Sequence, residues 1–416
     1  MYQTGYSQPL EDSIHTDFVL HDNRVKFKTY LIDKTVDQTF TEPLDSNSEY
    51  DYEDACWSIS QFALRSPQVE SGFAKMFNQF YDLQYPTRRA FLEAVYASYP
   101  RKYEKEFQSL LEKETYAKLF AMEALYLYRD DPSRPAVRNI ENQMIQKFPG
   151  FDTTVLLEQL RDYLENHQQY VNQPTPDIHS LFANQKVLNQ KIIYSFQRWN
   201  RDYPGIAIVQ NSDGSFVRDS TGKLITIRQL ARSGSNLPFF ITNGNTPQGI
   251  FSIQGILVDQ NHIIGPTPTI QLVMPFEADS VYWHNAYDSS KDALTNYLGL
   301  LPEDWRLYTP MEEAFYAGKA GRTEIISHGT TLDPAYFFGK PFYPISPTMG
   351  CLCAREDWNI FTGKLNSSDQ LKLVQAFLAT AGDKGYLMVI NLDDQQKPVG
   401  ISEVENLVNQ FETKLK

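Results

Sequence analysis

Near residue 190 the spacing of apolar residues changes, and this change constrains the fold more than any other feature of the chain. Before that point apolar residues recur at steps of three and four, which is the spacing of one helical face. In the stretch 103–128 they are Phe107, Leu110, Leu111, Ala117, Phe120, Ala121, Ala124, Leu125 and Tyr128. After residue 190, short β-type runs alternate with Gly, Asn, Asp and Pro. The sequence therefore predicts an α+β multidomain protein, with an all-α helical domain followed by a mostly β domain.

The same patterns divide the chain into four regions. They are an N-terminal extended segment (1–52), a helical domain (53–190), a mostly β domain (191–398) and a C-terminal helix (399–416). Within the β region, the predicted strands lie at 205–209, 223–227, 237–243, 249–257, 268–274, 323–328 and 386–392.

Two of these regions carry a more specific prediction. The alternation over residues 25–31 favours an edge strand in the N-terminal segment. Residues 276–320 interrupt the β region with helical pieces, and we interpret them as a helical insertion. A long insertion beside a site is often a lid, and a surface excursion is the other interpretation.

Composition and charge exclude some classes of partner. The formal net charge of −13 argues against nucleic acid, because phosphate binding requires a basic surface. The same charge disfavours anionic membrane surfaces. No run of 18 or more apolar residues predicts a membrane-spanning segment. The N-terminal stretch 1–9 has neither the basic nor the apolar region of a signal peptide.

The three cysteines, Cys56, Cys351 and Cys353, cannot form a disulfide framework. A Cys-x-Cys pair can ligate a metal ion, but no nearby His or Cys completes a set of four ligands. We therefore predict no metal site.

A histidine and a cysteine stand in a pattern that suits acyl transfer. His328 lies upstream of Cys351, and Cys351 follows Gly350. A free thiol has a pKa of about 8.5, so it needs a base such as imidazole to become a nucleophile at neutral pH. We expect the backbone amides of Gly350 and Cys351 to face the developing oxyanion, where one donor is worth roughly 10²–10³ in rate.

These residues resemble the active-site motif of the L,D-transpeptidase (YkuD-like) family, which is a His, a spacer and then Ser/Thr-His-Gly-Cys. His328 matches the first histidine, Thr348 the Ser/Thr, Gly350 the glycine and Cys351 the nucleophile. The stretches 245–253 and 383–390 are similar to flanking strands of that family. The chain departs from the pattern where Met349 replaces the second histidine and Cys353 replaces the usual Asn or Arg.

The resemblance implies an L,D-transpeptidase-like catalytic domain in the C-terminal half, with the mostly β fold of that family. It implies that Cys351 attacks the bond after the third residue of a peptidoglycan stem tetrapeptide and expels the terminal D-alanine. His328 would activate the thiol and deprotonate an incoming amine, from a second stem or a free D-amino acid. No cofactor is implied, and the implied location is periplasmic or cell-envelope, with the leader removed; a cytoplasmic protein is the competing interpretation.

Four residues near the motif are candidates for binding the substrate. Thr348 and Met349 directly precede Gly350, and Tyr343 lies in an aromatic stretch before them. Arg355 follows the motif and can meet a substrate carboxylate bidentately.

Alternatives to the transpeptidase remain open. Water as acceptor would make the protein an L,D-carboxypeptidase. The replacement by Met349 motivates a cell-envelope binding protein that has lost turnover, because methionine cannot exchange a proton. A papain-like peptidase is disfavoured, because such enzymes carry the cysteine early and the histidine late.

Overall fold

Helices form the N-terminal half of the chain, and a closed β-barrel forms the C-terminal half. The computed structural model describes residues 13–415. The stretch 1–9, on which the signal-peptide prediction depends, lies outside the described residues, as does the start of the predicted extended segment. Between residues 13 and 415, no helix is both long enough and apolar enough to span a bilayer.

The helices of the N-terminal half form one continuous series. They are α1 (His21–Thr29), α2 (Thr39–Thr41), α3 (Glu49–Phe62), α4 (Pro67–Asn78), α5 (Tyr85–Ser98), α6 (Glu104–Leu111), α7 (Ala117–Asp130), α8 (Arg134–Lys147), α9 (Val155–Asn172) and α10 (Ile178–Leu188). The start of α4 illustrates how the local sequence determines where a helix begins. The Ser66 hydroxyl accepts a hydrogen bond from the Val69 amide, and Pro67 occupies the first turn, where no amide donor is needed.

The predicted apolar stripes form the core of this helical region. Phe107, Leu110, Leu111, Phe120 and Leu125 are all buried in it. The pattern over 103–128 is divided between α6 and α7. The Glu114 carboxylate accepts hydrogen bonds from the two amides that follow it, both at 2.8 Å, and so interrupts the helix.

The prediction of an extended N-terminal segment with an edge strand at 25–31 is wrong for the described residues. Residues 21–41 are helical, and a π-helix over Tyr30–Gln38 joins α1 to α2. The buried residues there are Leu31, Val36 and Phe40, at steps of five and four. Such spacing suits the wider turn of a π-helix and does not suit the alternation of a strand.

The strands of the C-terminal half close into a barrel. They are β1 (Lys191–Arg198), β2 (Gly205–Gln210), β3 (Ile227–Leu230), β4 (Gly249–Leu257), β5 (Thr269–Val273), β6 (Ile326–His328), β7 (Leu352–Ala354), β8 (Glu356–Trp358), β9 (Leu365–Ser368) and β10 (Gly385–Asp393). Eight of them form the closed order β1-β10-β4-β5-β6-β7-β3-β2, while β8 and β9 pair separately. The β1–β10 and β6–β7 pairs are parallel and the other pairs are antiparallel.

The closed barrel corrects the predicted fold class. The resemblance implied an L,D-transpeptidase-like catalytic domain, but the protein has an eight-stranded barrel in place of that family's sandwich. The physical reason is that β1 pairs with β2 on one side and with β10 on the other, so no strand is left at an edge. Closure depends on pairings between distant segments, which periodicity does not report.

Strand β1 was not predicted, because both of its faces are buried. Ile192, Tyr194 and Phe196 pack in one core with α10, while Ile193 packs in a second core on the other face. All eight of its residues are buried, so the strand lacks the alternation of polar and apolar residues that marks a half-exposed strand.

Five further helices lie in the C-terminal half, three of them within the 276–320 insertion. They are α11 (Asp279–Tyr282), α12 (Ala293–Leu298), α13 (Glu313–Lys319), α14 (Asp369–Phe377) and α15 (Ile401–Leu415). The predicted C-terminal helix is confirmed as α15. Arg198, whose side chain is fully buried, donates to Glu403 at 2.8 Å and to Asp393 at 2.8 Å, and so fastens α15 to the barrel.

The insertion at 276–320 is neither a lid nor a surface excursion. Its side chains Tyr282, Tyr297, Trp305, Tyr308 and Phe315 are buried in the same core as β1, α10 and α15. The Tyr297 hydroxyl donates to the Met311 carbonyl at 2.6 Å and accepts from the Ile250 amide at 3.0 Å. A segment with this much buried aromatic surface is a fixed layer of the domain.

The strand predicted at 237–243 is also wrong, and the error concerns the site. This stretch is part of a loop, residues 231–248, that connects β3 to β4. Leu237, Phe240 and Ile241 leave the barrel and pack in the core of the helical region. The loop therefore joins the two halves of the chain. One of its residues, Thr246, donates a hydrogen bond to the Gly350 carbonyl in the motif.

Candidate active site

The barrel places His328 on β6 and Cys351 directly before the neighbouring parallel strand β7. Ser327 of β6 pairs with Leu352 of β7, and His328 pairs with Cys353. Cys351 is the residue directly before β7, and β7 is the strand next to that of His328. The Ile326 amide, two residues before the histidine, donates to Cys351 Sγ at 3.4 Å. Within residues 13–415, no direct hydrogen bond joins Cys351 Sγ to the imidazole.

The His328 ring is held in one orientation by its own backbone neighbour. Nδ1 forms a hydrogen bond with the Gly329 carbonyl, and a carbonyl only accepts, so Nδ1 carries the proton. Nε2 is then the basic nitrogen, and it has no hydrogen bond to another described residue. Burial lowers the pKa of His328, which is 5% exposed, so the imidazole is neutral at pH 7. A neutral imidazole with a free Nε2 is able to accept a proton.

The Cys351 thiol is half-buried and protonated at rest. Burial raises its pKa to about 11, against the opposing effects of the Ile326 amide and the Arg322 guanidinium. The Sγ–H group donates weakly to the Glu324 carbonyl at 3.6 Å. The carboxylate of Asp259 raises the pKa of both Cys351 and His328, so both groups lie within range of one charge. A base is therefore needed before this sulfur can act as a nucleophile.

Arg322 is the cation of the site, and the sequence motifs did not indicate it. Its side chain is 4% exposed, and its guanidinium donates to the carbonyls of Phe239, Gly244 (3.0 Å) and Asn245 (2.9 Å). Burial lowers the pKa of Arg322 to about 10, which leaves it charged at neutral pH. Arg322 thus ties the 231–248 loop to the segment that precedes β6 and places a positive charge near Cys351.

Gly350 is needed for its shape. Its φ of +112° lies in a region that L side chains rarely adopt. A Cβ at this position would overlap the Arg322 guanidinium and would lie 2.7 Å from the Gly244 carbonyl oxygen. The glycine therefore lets the backbone pass directly beside the arginine.

The predicted role of the Gly350 amide as an oxyanion donor is wrong. This amide donates to Thr348 Oγ1 at 3.1 Å, and the same hydroxyl donates to the Cys351 carbonyl at 2.8 Å. Thr246 Oγ1 donates to the Gly350 carbonyl at 2.8 Å. Two threonines thus hold the turn before Cys351. The Thr348 hydroxyl serves this turn, and its predicted role in substrate binding stays a prediction.

Met349 and Tyr343, two other predicted binding residues, make no hydrogen bond or ring contact with Cys351 or His328 among the described residues. Met349 is 50% exposed at the tip of the turn, directly before Gly350. Tyr343 is also exposed, and its ring packs edge-on against Phe338 with centroids 5.5 Å apart. Among the described residues, no hydrogen bond or ring contact connects Tyr343 to the motif.

Arg355 is exposed at the junction of β7 and β8. Its carbonyl accepts a hydrogen bond from the Asp369 amide at 2.9 Å, which places the residue at the start of α14. The described part of the chain shows no contact between its side chain and Cys351 or His328, so its binding role stays a prediction.

A buried carboxylate lies against the histidine segment. A Cβ at Gly329 would overlap the Glu356 carboxylate, so the glycine permits this approach. Ser368 Oγ donates to Glu356 Oε1 at 2.7 Å, and burial raises the pKa of Glu356 to about 7. Glu356 lies beyond the motif in sequence, and no spacing rule indicated it.

The helical region supports the site through the 231–248 loop. Asn243 Nδ2 donates to Glu93 Oε2 of α5 at 3.2 Å, and Lys118 Nζ of α7 donates to Thr242 Oγ1 at 3.0 Å. Burial raises the pKa of Glu93 to about 8. The helical region is therefore joined by polar contacts to the loop that holds Arg322.

Comparisons with protein-family models, curated proteins and solved structures found no significant match to this chain. Among residues 13–415, no group of three or more His, Cys, Asp or Glu side chains is placed to hold a metal ion.

We predict slow alkylation of Cys351 in the folded protein. A pKa raised to about 11 leaves little thiolate at pH 7.5, and the greater nucleophilicity of the thiolate offsets only part of that loss. Iodoacetamide should react roughly 20-fold more slowly than with free cysteine, and faster as the pH rises toward 10. Peptide mass mapping over time measures this. Cys56 and Cys353, both fully buried, serve as internal controls and should react more slowly still; alkylation of Cys351 at the rate of free cysteine would contradict the prediction.

Proposed function

We propose that the protein is a cysteine acyltransferase of the L,D-transpeptidase type, acting on stem tetrapeptides in the cell envelope. The observation that carries the proposal is that His328 lies on β6 and Cys351 directly precedes the adjacent parallel strand β7, while Nε2 of the imidazole has no hydrogen bond among the described residues and Nδ1 is fixed by Gly329. The barrel is not the fold of the family that the motif resembles, so the proposal depends on the motif residues and their geometry alone.

The proposed reaction has two half-reactions. Cys351 Sγ attacks the carbonyl carbon of the third residue of the donor, and its proton moves to Nε2 of His328. The imidazolium then gives this proton to the amine of the departing D-alanine, which leaves an acyl thioester on the sulfur. In the second half-reaction, His328 takes a proton from an incoming amine, which forms a new amide bond and releases the thiol.

Arg322 supports this chemistry through its charge. Its guanidinium lowers the pKa of Cys351 against the effect of burial, so it favours the sulfur anion that forms as the proton leaves. The side chain also holds the 231–248 loop beside the turn of Gly350. Arg322 acts through Cys351 and is a positioning residue.

A covalent adduct tests the nucleophile directly. Carbapenems acylate the catalytic cysteine of the family that the motif resembles, so the protein should gain the mass of one carbapenem on incubation. Cys351→Ala should gain none, and Cys353→Ala, which changes a thiol two residues away, should still gain one. Absence of an adduct on the wild-type protein after prolonged incubation, or an adduct that persists in Cys351→Ala, would overturn the proposal.

Products from a stem tetrapeptide distinguish the transferase from its alternatives. Formation of a D-amino-acid-exchanged tetrapeptide in the presence of a free D-amino acid supports transfer. Release of tripeptide with D-alanine and no exchange indicates an L,D-carboxypeptidase. The raised pKa of Cys351 and the exposed Met349 favour a binding protein as the second candidate; tetrapeptide binding with neither product would support it.

A further inference from the structure

A cavity of about 450 Å³ lies at the start of the 276–320 insertion, and the proposed reaction does not use it. The usual volume of a small-molecule site is roughly 300–1,000 Å³. The aromatic residues that line the cavity are Phe276, Trp283 and Tyr287. Among the described residues that line it, Asp279 is the only charged one. The cavity therefore combines aromatic surface with one acidic group.

The core of the insertion fixes two of the three aromatic rings. Trp283 is 6% exposed, and its ring packs edge-on against the fully buried ring of Tyr282 with centroids 4.8 Å apart. The ring of Tyr287 lies next to that of Trp283, with centroids 5.2 Å apart and an angle of 48° between the planes. Because both residues line the cavity, their rings contribute two inclined surfaces to it.

Phe276 contributes the third ring from an unusual backbone conformation. Its φ of +68° lies in the left-handed region, which a bulky side chain rarely adopts. Its ring packs edge-on against the buried ring of Phe315 with centroids 5.0 Å apart. Phe276 nevertheless stays 40% exposed beside the cavity. Strained residues of this kind persist where the surrounding structure holds them, and they cluster at ligand sites.

Asp279 supplies the charge of the cavity. Its Oδ1 accepts a hydrogen bond from the Phe276 amide at 3.1 Å, which holds the carboxylate next to the third ring. Its Oδ2 makes no hydrogen bond with another described residue, so this oxygen is available to a ligand. The formal net charge of −13 on the whole chain adds a longer-range attraction for cations. The cavity thus suits a positively charged ligand.

The aromatic surface favours one class of cation. A primary ammonium group has three N–H donors, and each of them needs an acceptor. Asp279 offers one free carboxylate oxygen, and aromatic rings form much of the remaining wall. A quaternary ammonium group has no N–H donor to satisfy, and its charge is attracted to the faces of aromatic rings.

We propose that this cavity binds a quaternary ammonium compound about the size of choline. The trimethylammonium group lies against the rings of Phe276, Trp283 and Tyr287, near the carboxylate of Asp279. The insertion then has a binding role in addition to its place in the core. The proposal does not depend on acyl transfer, because none of these residues is part of the motif.

Ligand-observed NMR titration of the full chain with choline tests the proposal. The control ligand is 3,3-dimethylbutan-1-ol, which has the shape of choline with a carbon atom in place of the charged nitrogen. Choline should bind, and the alcohol should bind at least about tenfold more weakly, because it lacks the attraction to the rings and to Asp279. Equal binding of the two compounds, or no binding of choline at about 10 mM, which is enough to detect a millimolar affinity, overturns the proposal.

Flotation with phosphatidylcholine vesicles distinguishes the two sources of a trimethylammonium group. A protein that binds free choline and does not float with the vesicles takes a free compound. A protein that binds choline and floats takes the same group on a lipid headgroup. Both results support the proposal, which is overturned by the choline titration alone.

Four variants locate the binding. Tyr287→Leu removes a ring and Asp279→Asn removes the charge, so each should weaken choline binding at least about tenfold. Tyr287→Phe keeps the ring, and Asp304→Asn makes the same change as Asp279→Asn at an exposed position of the insertion outside the cavity; both should bind as the wild type does. Thermal unfolding of each variant without ligand establishes that it is folded. Wild-type affinity in folded Tyr287→Leu and Asp279→Asn excludes this cavity as the site.

Discussion

Replacing His328 by asparagine is expected to lower kcat/KM for the proposed acyl transfer by about 10²–10⁴, the usual contribution of a general base. Asparagine can place an amide N–H near the position of Nδ1 and so keep the hydrogen bond to the Gly329 carbonyl. It has no basic nitrogen in place of Nε2, and the Cys351 thiol, with its pKa raised to about 11, would then have no acceptor for its proton. The rate of D-alanine release from a stem tetrapeptide measures the effect.

The pH profile of the proposed reaction, measured on the wild-type protein, provides a second readout. Burial lowers the pKa of His328 below 6.5, so the imidazole should remain an effective base until the pH falls below that value. The acid limb of the rate should therefore lie below the ordinary pKa of histidine, and it should disappear in His328→Asn.

His284→Gln is the matched control for this substitution. His284 is partly buried. Its Nε2 is hydrogen-bonded to Ser252 Oγ of β4 and to the Gly385 carbonyl of β10, and neither residue belongs to the motif. Its replacement should leave the rate and the acid limb close to those of the wild type. A fully active His328→Asn, or an equal loss in His284→Gln, would show that the imidazole of residue 328 is not the base.

The sequence predicts those parts of the fold that local periodicity determines. The stripe from Phe107 to Leu125 is buried as the helical spacing requires, and α15 lies within the predicted C-terminal helix, with Val404 and Val408 buried on one face. These features depend on residues close together in the chain, or on one turn of the backbone.

The remaining features depend on contacts between distant segments. β1 has two buried faces, so its residues carry no alternation. Leu237, Phe240 and Ile241 read as a strand, but their partners are the helices of the other half. Barrel closure requires β1 to meet both β2 and β10, and no local pattern reports such pairing.

The sequence predicted only part of the candidate site, because the remaining residues are brought to it by contacts between distant segments. Cys351, His328 and Gly350 stand in a motif, whereas Arg322 and Glu356 are single charged residues that resemble many surface residues in the sequence. Their burial is what gives them a role, and burial appears only when the 231–248 loop and the β8–β9 pair are in place.

Replacing Arg322 by methionine is expected to destabilise the protein by about 3–5 kcal/mol, because three buried carbonyls lose their donor and each buried polar group left without a partner costs about 1–3 kcal/mol. Methionine has a similar length but cannot donate to the carbonyls of Phe239, Gly244 and Asn245, which would be left buried without these partners. It also removes the positive charge that lowers the pKa of Cys351, so alkylation of that thiol should become slower still. Urea unfolding and iodoacetamide kinetics measure the two effects.

Arg322→Lys separates the charge from the hydrogen bonds. Lysine keeps the positive charge but, as a single ammonium group, cannot reach all three carbonyls in the planar arrangement of a guanidinium. We expect it to recover most of the thiol reactivity while it recovers only part of the stability. If Arg322→Met and Arg322→Lys both have the urea midpoint of the wild-type protein, then Arg322 does not hold the 231–248 loop. Unchanged alkylation of Cys351 in Arg322→Met, which lacks the positive charge, would mean that this charge does not act on the sulfur.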